Sequence, residues 1–497
     1  MSSQLEELTF DAHNYNMAFL QVMKACPRLT HFSYSVYDYV PPEVYDTEPV
    51  VVELSSSTSS LATVKTTTTT EAAVEKMEED ENPLDYSSKD DDDESLNITY
   101  LCLNAVLHKD KRAAPILRRC PKLRYLAISN IDIDSDFHMW PSKDSIDLDM
   151  FFRLCPLLQC IECNSWDGNQ QQQQQRWRQY ARDIHYSPRN HQHLLLDNGS
   201  SNSPSRRSKD KGSINDFTEE GGLRELITSG AEGYGADQII PILKRNKSTL
   251  QILDLGEGIS ARGDSWDASS DWSQLEHITH LQRLHTFSYK YLSLNDRVLC
   301  GFLRQCPVLT DLTLWCKMTI IPDELLLVIN NKLPLLTRLD LGFTSTLAVP
   351  SETTWRWFFT NNNGRLKRLC LRWNNFISDA VLDAIGTMRQ LEELHLRHTA
   401  KRATRMDALR RLNHLDRLEL WTVDAPLDPV LSDLYWLKEL YLVGCKEVSS
   451  HGLRALVDTP GCKLKKLRVQ SCGSIRPHMM DYIDSKLASL SSSPSHQ

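Results

Sequence analysis

The sequence predicts an α/β solenoid with a parallel β-sheet on its concave face and helices on its convex face. A phrase, L-x-x-L-x-L or a near variant, recurs along the chain, and from Leu309 onward its first leucines are 27, 30, 25, 24, 22 and 27 residues apart. These intervals fall in or near the range of about 20–29 residues of leucine-rich repeats. The turn sequence CPxL leads into four of the phrases, at Cys26, Cys120, Cys155 and Cys306. The phrases start at Leu5, Leu29, Ile98, Leu123, Leu158, Leu223, Leu250, Leu284, Leu309, Leu336, Leu366, Leu391, Leu415, Leu437 and Leu464.

The alternation within L-x-L assigns a strand to each repeat. Successive side chains of a strand point to opposite faces, so the two leucines enter the core and the residue between them faces outward. The following segment returns the chain to the next layer. In the segment after Asn374, either Ser378 or Asp379 can cap a helix. The side chains of Val381, Leu382 and Ile385 in that helix would face the core. One repeat cannot bury its leucines alone, and stacking of neighbours produces a continuous core.

Two long segments interrupt the period. One contains a Ser/Thr tract and an acidic run, and the other contains six consecutive glutamines and a basic stretch. Both are poor in core-forming residues, so we expect disordered insertions on one face of the solenoid. The predicted organisation is N-terminal repeats at 1–36, a disordered acidic Ser/Thr-rich insertion at 37–95, repeats at 96–163, a disordered Gln-rich and basic insertion at 164–218, the main repeat array at 219–484 and a disordered tail at 485–497.

Composition and charge limit the classes of function. The net charge of −9 arises from residues 71–94, which hold twelve acids and two bases and so carry −10, leaving about +1 for the rest of the chain. A nearly neutral body argues against a nucleic-acid partner, which needs clustered lysine and arginine. We also expect no membrane association, since no apolar run reaches about 18 residues. Thirteen cysteines without a signal peptide indicate free thiols in a reducing compartment, so we expect a cytoplasmic or nuclear protein.

Candidate metal-binding or catalytic groups are sparse. The densest cysteine cluster, Cys155, Cys160 and Cys163, would need a fourth ligand to close a tetrahedral zinc site. His191 and His193 have no cysteine or acid pair nearby in the sequence. The motifs of phosphate-binding loops, zinc metalloproteases and nucleophile elbows do not occur. We therefore expect no cofactor, no metal and no catalytic centre.

The residues that lie outward between the strand leucines are the candidate partner-binding positions. Neighbouring strands place them in rows about 4.8 Å apart on the concave face. Arginine, tryptophan and tyrosine are the residue types that anchor protein interfaces, and Arg372, Arg397 and Arg417 together are suited to grip a carboxylate or phosphate. The alternative to a binding site is that these residues form an ordinary polar surface. The candidates are Trp315, Asp340, Arg368, Arg372, His395, Arg397, Arg417, Glu419, Trp421, Tyr441 and Arg468.

The CPxL turns and the strand-terminal cysteines Cys445 and Cys472 make the chain resemble cysteine-containing leucine-rich-repeat proteins of the RNase-inhibitor-like type. Residues 444–467, GCKEVSSHGLRALVDTPGCKLKKL, are similar to the repeat unit of that family. In fungi and other eukaryotes such repeats commonly belong to F-box proteins. There the F-box docks on the Skp-type adaptor of a cullin ubiquitin ligase, and the repeats hold the substrate. The resemblance implies a substrate receptor in ubiquitin-dependent protein degradation.

The chain departs from that family at the F-box itself. Its first residues, QLEELTF, already match a repeat strand. The segment IPDELLLVINNKLPLL, residues 321–336, resembles the first third of an F-box but fills an interval where a repeat helix is expected. We therefore expect a non-catalytic scaffold that binds a protein on its concave face. It is either the substrate-recognition part of an F-box-type SCF ubiquitin ligase, or an adaptor or inhibitor without an F-box.

Overall fold

The recurring leucine phrase builds a parallel sheet in a computed structural model of the chain. Each strand pairs in register with the strand of the neighbouring repeat, so that Leu369, Leu394 and Leu418 of three successive strands lie side by side. The fold is an α/β leucine-rich-repeat solenoid, as predicted. The structure describes residues 7–12, 23–36, 61–65, 95–104, 116–130, 148–165, 222–228, 236–256, 272–290, 296–316, 323–343, 351–362, 364–373, 377–398, 400, 402–472 and 475–492.

The described strands lie in chain order across the sheet except at its N-terminal end, where the third strand pairs on the outer side of the first. Parallel neighbours require a crossover between each pair, and the convex segments provide it. The sixteen described strands are β1 (Glu7–Ala12), β2 (His31–Val36), β3 (Leu61–Lys65), β4 (Tyr100–Asn104), β5 (Tyr125–Asn130), β6 (Cys160–Ser165), β7 (Glu225–Ile227), β8 (Ile252–Gly256), β9 (Thr286–Lys290), β10 (Asp311–Cys316), β11 (Arg338–Phe343), β12 (Arg368–Arg372), β13 (Glu393–Arg397), β14 (Arg417–Trp421), β15 (Glu439–Val443) and β16 (Lys466–Gln470).

The leucines of the phrase form the core. In the repeat that begins at Leu366, this residue, Leu369 and Leu371 are each 0 % exposed. Leu369 and Leu371 are two positions apart in the strand, so both point into the core. Leu366 lies in the turn before the strand. Equivalent residues of the other repeats join them in one hydrophobic cluster that extends from Leu8 to Ile483. Because full burial of one leucine contributes about 1.5–3 kcal/mol, stacked repeats rather than any single repeat supply the stability.

The segments after many of the strands form helices on the opposite side of the core. Ser378 caps one helix by accepting a hydrogen bond from the Val381 backbone N–H, and Val381, Leu382 and Ile385 are buried, as predicted. Ser449 caps another helix in the same way. Within the described residues, no helix combines the length and the apolar character needed to cross a membrane. The described α-helices are α1 (Leu148–Leu154), α2 (Ala236–Asn246), α3 (Asp296–Leu303), α4 (Asp323–Lys332), α5 (Glu352–Asn361), α6 (Asp379–Ile385), α7 (Asp428–Leu431), α8 (Ser450–Asp458) and α9 (Pro477–Ser492).

Two short repeats use tighter turns in their convex segments. The repeats that begin at Leu391 and Leu415 span 24 and 22 residues, and they contain 3₁₀ segments at Asp407–Arg411 and Ser432–Leu434. A further 3₁₀ segment lies at Trp272–His277. A 3₁₀ helix rises about 2.0 Å per residue against about 1.5 Å in an α-helix. It therefore spans the same distance with fewer residues, which suits the short intervals.

The cysteine of CPxL belongs to the turn that enters each strand. The thiol of Cys306 donates to the Phe302 carbonyl oxygen at 3.4 Å, and the Cys306 carbonyl accepts from the Leu309 backbone N–H at 3.2 Å. Burial raises the pKa of the Cys306 thiol far above its usual range, so this group is an inert core residue. The same bond from the leucine N–H to the cysteine carbonyl occurs at Cys26, Cys120 and Cys155.

The cysteines that follow β15 and β16 also serve the fold. The thiol of Cys445 donates to the Leu420 carbonyl oxygen at 3.4 Å, and the thiol of Cys472 donates to the Leu442 carbonyl oxygen at 3.7 Å. Both cysteines are buried. Each thiol therefore ties the turn after one strand to the preceding strand of the sheet.

The residue directly after each of the strands β12 to β16 has a left-handed backbone. This conformation costs an L-residue about 1–2 kcal/mol, yet four of the five residues are not glycine. It directs the backbone N–H toward the next strand, so that Trp373 donates to the Arg397 carbonyl at 2.8 Å and Thr422 donates to the Val443 carbonyl at 2.7 Å. The φ angles are 56° at Trp373, 55° at His398, 51° at Thr422, 63° at Gly444 and 57° at Ser471.

Two segments differ from their predicted disorder. β3 falls inside the predicted insertion 37–95 and pairs along β1. The edge of a sheet offers open backbone groups to an added strand, and the β-branched threonine and valine of β3 suit that role. Helix α9 runs through Ser492 and so enters the predicted tail 485–497. Residues 37–60, 66–94 and 166–221, with His191 and His193 among them, lie outside the described residues.

Candidate protein-binding face

Concave side chains fall into three rows because the register is kept from β10 to β16. Each strand contributes the residues before, between and after its two core-facing residues; in β12 these are Arg368, Cys370 and Arg372. The first row is Asp311, Arg338, Arg368, Glu393, Arg417, Glu439 and Lys466. The middle row is Thr313, Asp340, Cys370, His395, Glu419, Tyr441 and Arg468, and the last row is Trp315, Gly342, Arg372, Arg397, Trp421, Val443 and Gln470.

Trp315, Asp340 and Arg372 form one interlocked group. The Arg372 guanidinium donates from Nε and Nη2 to the two carboxylate oxygens of Asp340, at 3.1 and 2.9 Å. Its carbon Cζ lies 4.3 Å from the centroid of the Trp315 ring, and Trp315 Nε1 donates to Asp340 Oδ1 at 3.0 Å. Each contact restricts the other two, so the indole is held in place in the free protein.

Trp373 adds an exposed indole beside this group. It is 37 % exposed, and its ring meets the Trp315 ring edge-on with 6.0 Å between centroids. Gly342 lies beneath both rings: a Cβ there would be 3.0 Å from Trp315 Cδ1 and 3.1 Å from Trp373 Cζ3. The absence of a side chain at Gly342 therefore allows the two indoles to pack together.

Glu419 is the centre of a second group. Its carboxylate lies 2.8 Å from His395 Nδ1, 2.7 Å from Arg397 Nη2 and 3.7 Å from Arg417 Nη2. Burial by itself would raise the pKa of Glu419, but the hydrogen bond from His395 and the charges of Arg397 and Arg417 outweigh it and lower the pKa to about 2. Arg397 also lies over the Trp421 ring, at 4.7 Å from the centroid. This group, like the first, is fixed by contacts within the chain.

The arginines expected to grip an external anion are already paired. Arg372 is held by an acid of the neighbouring strand, Arg397 lies against Glu419, and Arg417 lies 3.7 Å from Glu419 and 3.8 Å from Glu439. The register places Glu393 and Glu439 directly beside Arg417, whereas the acids that pair with Arg372 and Arg397 lie diagonally across in the neighbouring strands. Each arginine therefore has a carboxylate partner within the chain, and a joint grip on an external carboxylate or phosphate stays a prediction.

All of the predicted site residues lie in the three rows, but their exposure differs. His395, Glu419 and Tyr441 are buried by neighbouring side chains, so they support the surface and do not form it. Tyr441 lies under Arg417, whose Cζ is 4.7 Å from the ring centroid. In the first row only Arg368 and Arg417 were predicted, and completing the row would have found the others, such as Arg338 and Glu393. Trp373 was also missed, because its left-handed backbone has no sequence signal. The predicted residues are Arg368 and Arg417 in the first row, Asp340, His395, Glu419, Tyr441 and Arg468 in the middle row, and Trp315, Arg372, Arg397 and Trp421 in the last row.

The N-terminal part of the concave face has a different character. The rings of Tyr100 and Tyr125 stack with 4.5 Å between centroids, and His31 stacks on Tyr100 at 5.9 Å. The Tyr125 hydroxyl is hydrogen bonded to Glu162, and both residues are buried. Burial raises the pKa of both phenols, which therefore stay neutral. None of the residues predicted to bind a partner lies in this part of the face.

The cysteine cluster considered for metal binding is divided between two faces. The thiol of Cys160 is on the concave side and donates to Glu225 Oε2 at 3.6 Å. Cys163 lies in the main core, and Cys155 donates to the Leu117 carbonyl oxygen at 3.7 Å. Among the described residues, no three His, Cys, Asp or Glu side chains are arranged to hold a metal ion. Twelve of the described cysteines are buried as thiols outside any disulfide bond.

Solved structures similar to this chain are leucine-rich-repeat proteins. An internalin (inlF) from Listeria monocytogenes is 15 % identical over 80 % of this chain and 79 % of its own, with a TM-score of 0.34. TLR13 in a complex with ssRNA13 is 17 % identical over 77 % of this chain and 51 % of its own, with a TM-score of 0.39. A leucine-rich-repeat protein of Leptospira interrogans is 10 % identical over 97 % of this chain and 88 % of its own, with a TM-score of 0.32. No family model and no curated protein matches the sequence. Independently of these likenesses, the in-register parallel sheet and its leucine core show that the chain has an α/β leucine-rich-repeat fold.

Proposed function

We propose that this chain is a non-catalytic scaffold that binds a protein partner through the last row of its concave face. The proposal rests on the Trp315–Arg372–Trp373 group. In this group the exposed Trp373 indole packs against Trp315, which is held in place by Arg372. Tryptophan and arginine are the residues most enriched at the energetic centres of protein interfaces.

The rigidity of this group supports binding. An interface side chain that must be immobilised on association costs about 0.5–1.5 kcal/mol. Arg372 is already held by two hydrogen bonds and one ring, and Arg397 is held by Glu419 and Trp421. The side chains of this row have therefore already lost their conformational freedom on folding, and a partner that packs on them does not have to immobilise them.

The left-handed backbone of Trp373 sets the position of its ring. Trp373 shares this conformation with the residues that follow β13 to β16, so it is a feature of the repeat. This conformation directs the N–H of Trp373 to the Arg397 carbonyl. The same residue also presents its ring beside Trp315, where it is open to solvent.

Site-specific crosslinking in cells tests the proposal. The photoreactive residue p-benzoylphenylalanine would replace Trp373 in one variant and Trp357 in a control variant. Trp357 lies on helix α5 of the convex side and is 38 % exposed, against 37 % for Trp373. We expect a protein adduct from position 373 and none from position 357. Equal adducts from both positions, or none from position 373, would contradict the proposal.

A finer version of the proposal assigns the chain to ubiquitin-dependent protein degradation, as the substrate receptor of an SCF-type ligase. Its support is the resemblance to F-box leucine-rich-repeat proteins. The F-box-like segment at residues 321–336 does not add to that support, because it forms the repeat helix α4, with Leu325, Leu326 and Ile329 buried in the core. An adaptor or inhibitor that uses the same concave face without an F-box is the alternative.

Affinity capture of the full chain separates the two versions. A Skp-type adaptor and a cullin in the captured material would support the ligase version. A partner crosslinked at position 373, with adaptor and cullin both missing, would support the adaptor or inhibitor.

A further inference from the structure

The last described strand, β16, differs in exposure from the four strands before it. In β12 to β15 the three central residues are buried. In β16 the core-facing Leu467 and Val469 remain partly exposed, and Lys466, Arg468 and Gln470 are exposed. Among the described strands, β15 alone pairs with β16. The described sheet therefore ends in an open edge where core side chains reach solvent.

The backbone of β16 is arranged to accept a further strand. Lys466 donates its N–H to the residue that precedes β15, at 3.1 Å, and the Gln470 carbonyl accepts from Gly444 at 2.8 Å. Hydrogen bonds of successive residues alternate between the two sides of a strand. Leu467 and Val469 therefore direct their backbone groups away from β15. An edge of this kind is a template for pairing with another chain.

Ser471 continues this pattern by one residue. In the four preceding repeats the left-handed residue donates its N–H to the last residue of the next strand, at distances between 2.7 and 3.1 Å. Ser471 has the same left-handed φ of 57° and is exposed. Its N–H is therefore directed to the place that the last residue of a next strand would occupy.

The charges of the first row indicate what a next strand would carry. Glu393, Arg417, Glu439 and Lys466 alternate in sign along consecutive strands. Among the described residues, neither Lys466 nor Arg468 has a carboxylate within 4.0 Å; Lys466 lies over the Tyr441 ring and Arg468 contacts Gln470. Opposite charges on neighbouring strands stabilise their pairing. An acidic residue beside Lys466 would continue the alternation.

We propose that β16 is a docking edge for an extended segment of a partner protein in which acidic and apolar residues alternate. The segment adds to the sheet as a parallel strand. Its apolar side chains cover Leu467 and Val469, and its acidic side chains face Lys466 and Arg468. The backbone hydrogen bonds supply affinity and the alternating side chains supply specificity, as in other strand additions. The proposal is independent of the concave-face proposal.

Charge argues against a second copy of the chain as the occupant. Two β16 edges brought together would set the cationic side chains of one copy against those of the other, and like charges on neighbouring strands destabilise pairing. A stable dimer of the full chain that Lys466→Glu with Arg468→Glu strengthens would therefore overturn the assignment of a partner segment.

Fluorescence anisotropy with the full chain tests the proposal. The probe is a labelled peptide of about eight residues, the length of an ordinary strand, which alternates glutamate with leucine or valine. We expect binding that weakens as salt is raised and that becomes about tenfold weaker in the variant Lys466→Glu with Arg468→Glu. The matched control, Lys247→Glu with Arg389→Glu, makes the same charge change at exposed residues outside β16, and we expect it to change the affinity less than twofold, in keeping with screening of distant charges.

Backbone methylation separates strand pairing from simple charge attraction. Two versions of the peptide would carry N-methyl groups on alternate backbone amides, one version on the odd-numbered residues and the other on the even-numbered residues. Only one of these two sets of amides faces β16. Methylation of that set should abolish binding, and methylation of the other set should leave binding unchanged. Equal effects of the two sets, or equal binding by the control and the β16 variant, would overturn the proposal.

Discussion

His395 and Glu419 lie side by side in the middle row of the concave face, with 2.8 Å between His395 Nδ1 and Glu419 Oε2, and both are almost fully buried. Arg397 and Arg417 share the same carboxylate. A buried charge is tolerated when partners satisfy it, and removal of one partner leaves the others uncompensated. Glu419 therefore stabilises the part of the concave face that contains Trp421.

Replacement of this carboxylate should destabilise the fold in a pH-dependent way. The pKa of Glu419 is about 2 in the folded chain against 4.5 ordinarily. Ionised Glu419 therefore stabilises the fold above about pH 4.5, and this contribution is lost as the pH falls toward 2. We expect Glu419→Gln to lower the free energy of unfolding by about 3 kcal/mol at pH 7. Urea denaturation at a series of pH values should show the difference from wild type shrinking below pH 4.5.

Glu439→Gln is the matched control for that measurement. Glu439 lies in the next strand, and its side chain is 37 % exposed. Loss of an exposed ion pair changes stability by about 1 kcal/mol or less. Equal losses of stability in the two variants would mean that the group around Glu419 has no special role.

A charge placed in the stacked core should unfold the repeat array. Leu394 is fully buried and pairs with Leu369 and Leu418 in the neighbouring strands. Leu394→Asp combines a lost apolar side chain with a buried carboxylate. We expect a fall of several kcal/mol in stability by thermal unfolding monitored by circular dichroism. Leu335→Asp is the control, since Leu335 is 51 % exposed; a wild-type melting temperature in Leu394→Asp would show that the repeats are wrongly aligned.

A methyl group at Gly342 should disturb the concave surface more than the fold. The added Cβ would lie 3.0 Å from Trp315 and 3.1 Å from Trp373, so the two indoles must move apart. We expect Gly342→Ala, in a chain that keeps Trp373, to reduce affinity capture of the partner identified by crosslinking severalfold, with a loss of stability of about 1–3 kcal/mol. Gly364→Ala is the control, because its added methyl group meets no atom within 4 Å. Unchanged capture of that partner by Gly342→Ala would mean that the indole pair has no part in partner binding.

The sequence predicts the repeats and the row positions because leucine spacing and strand alternation are periodic properties. The cap at Ser378 and the buried face of its helix follow from local residue types. The pairing of Arg397 with Glu419 depends on the register between β13 and β14, whose paired residues are 24 positions apart. The rows could therefore be predicted, but the ion pairs between them could not. The addition of β3 to the sheet rests on backbone groups, which leave little trace in sequence.

Substitutions at two left-handed positions should change stability in opposite directions. Gly444 has φ of 63°, and a Cβ there would lie 3.1 Å from Thr422 Cγ2. We therefore expect Gly444→Ala to lower the free energy of unfolding by about 1–2 kcal/mol. Ser471→Gly should relieve the same strain and raise the free energy by up to about 1 kcal/mol, less the extra entropy of an unfolded glycine. Chemical denaturation of both variants checks the signs; a loss of stability in Ser471→Gly would mean that the serine side chain makes a stabilising contact at this edge.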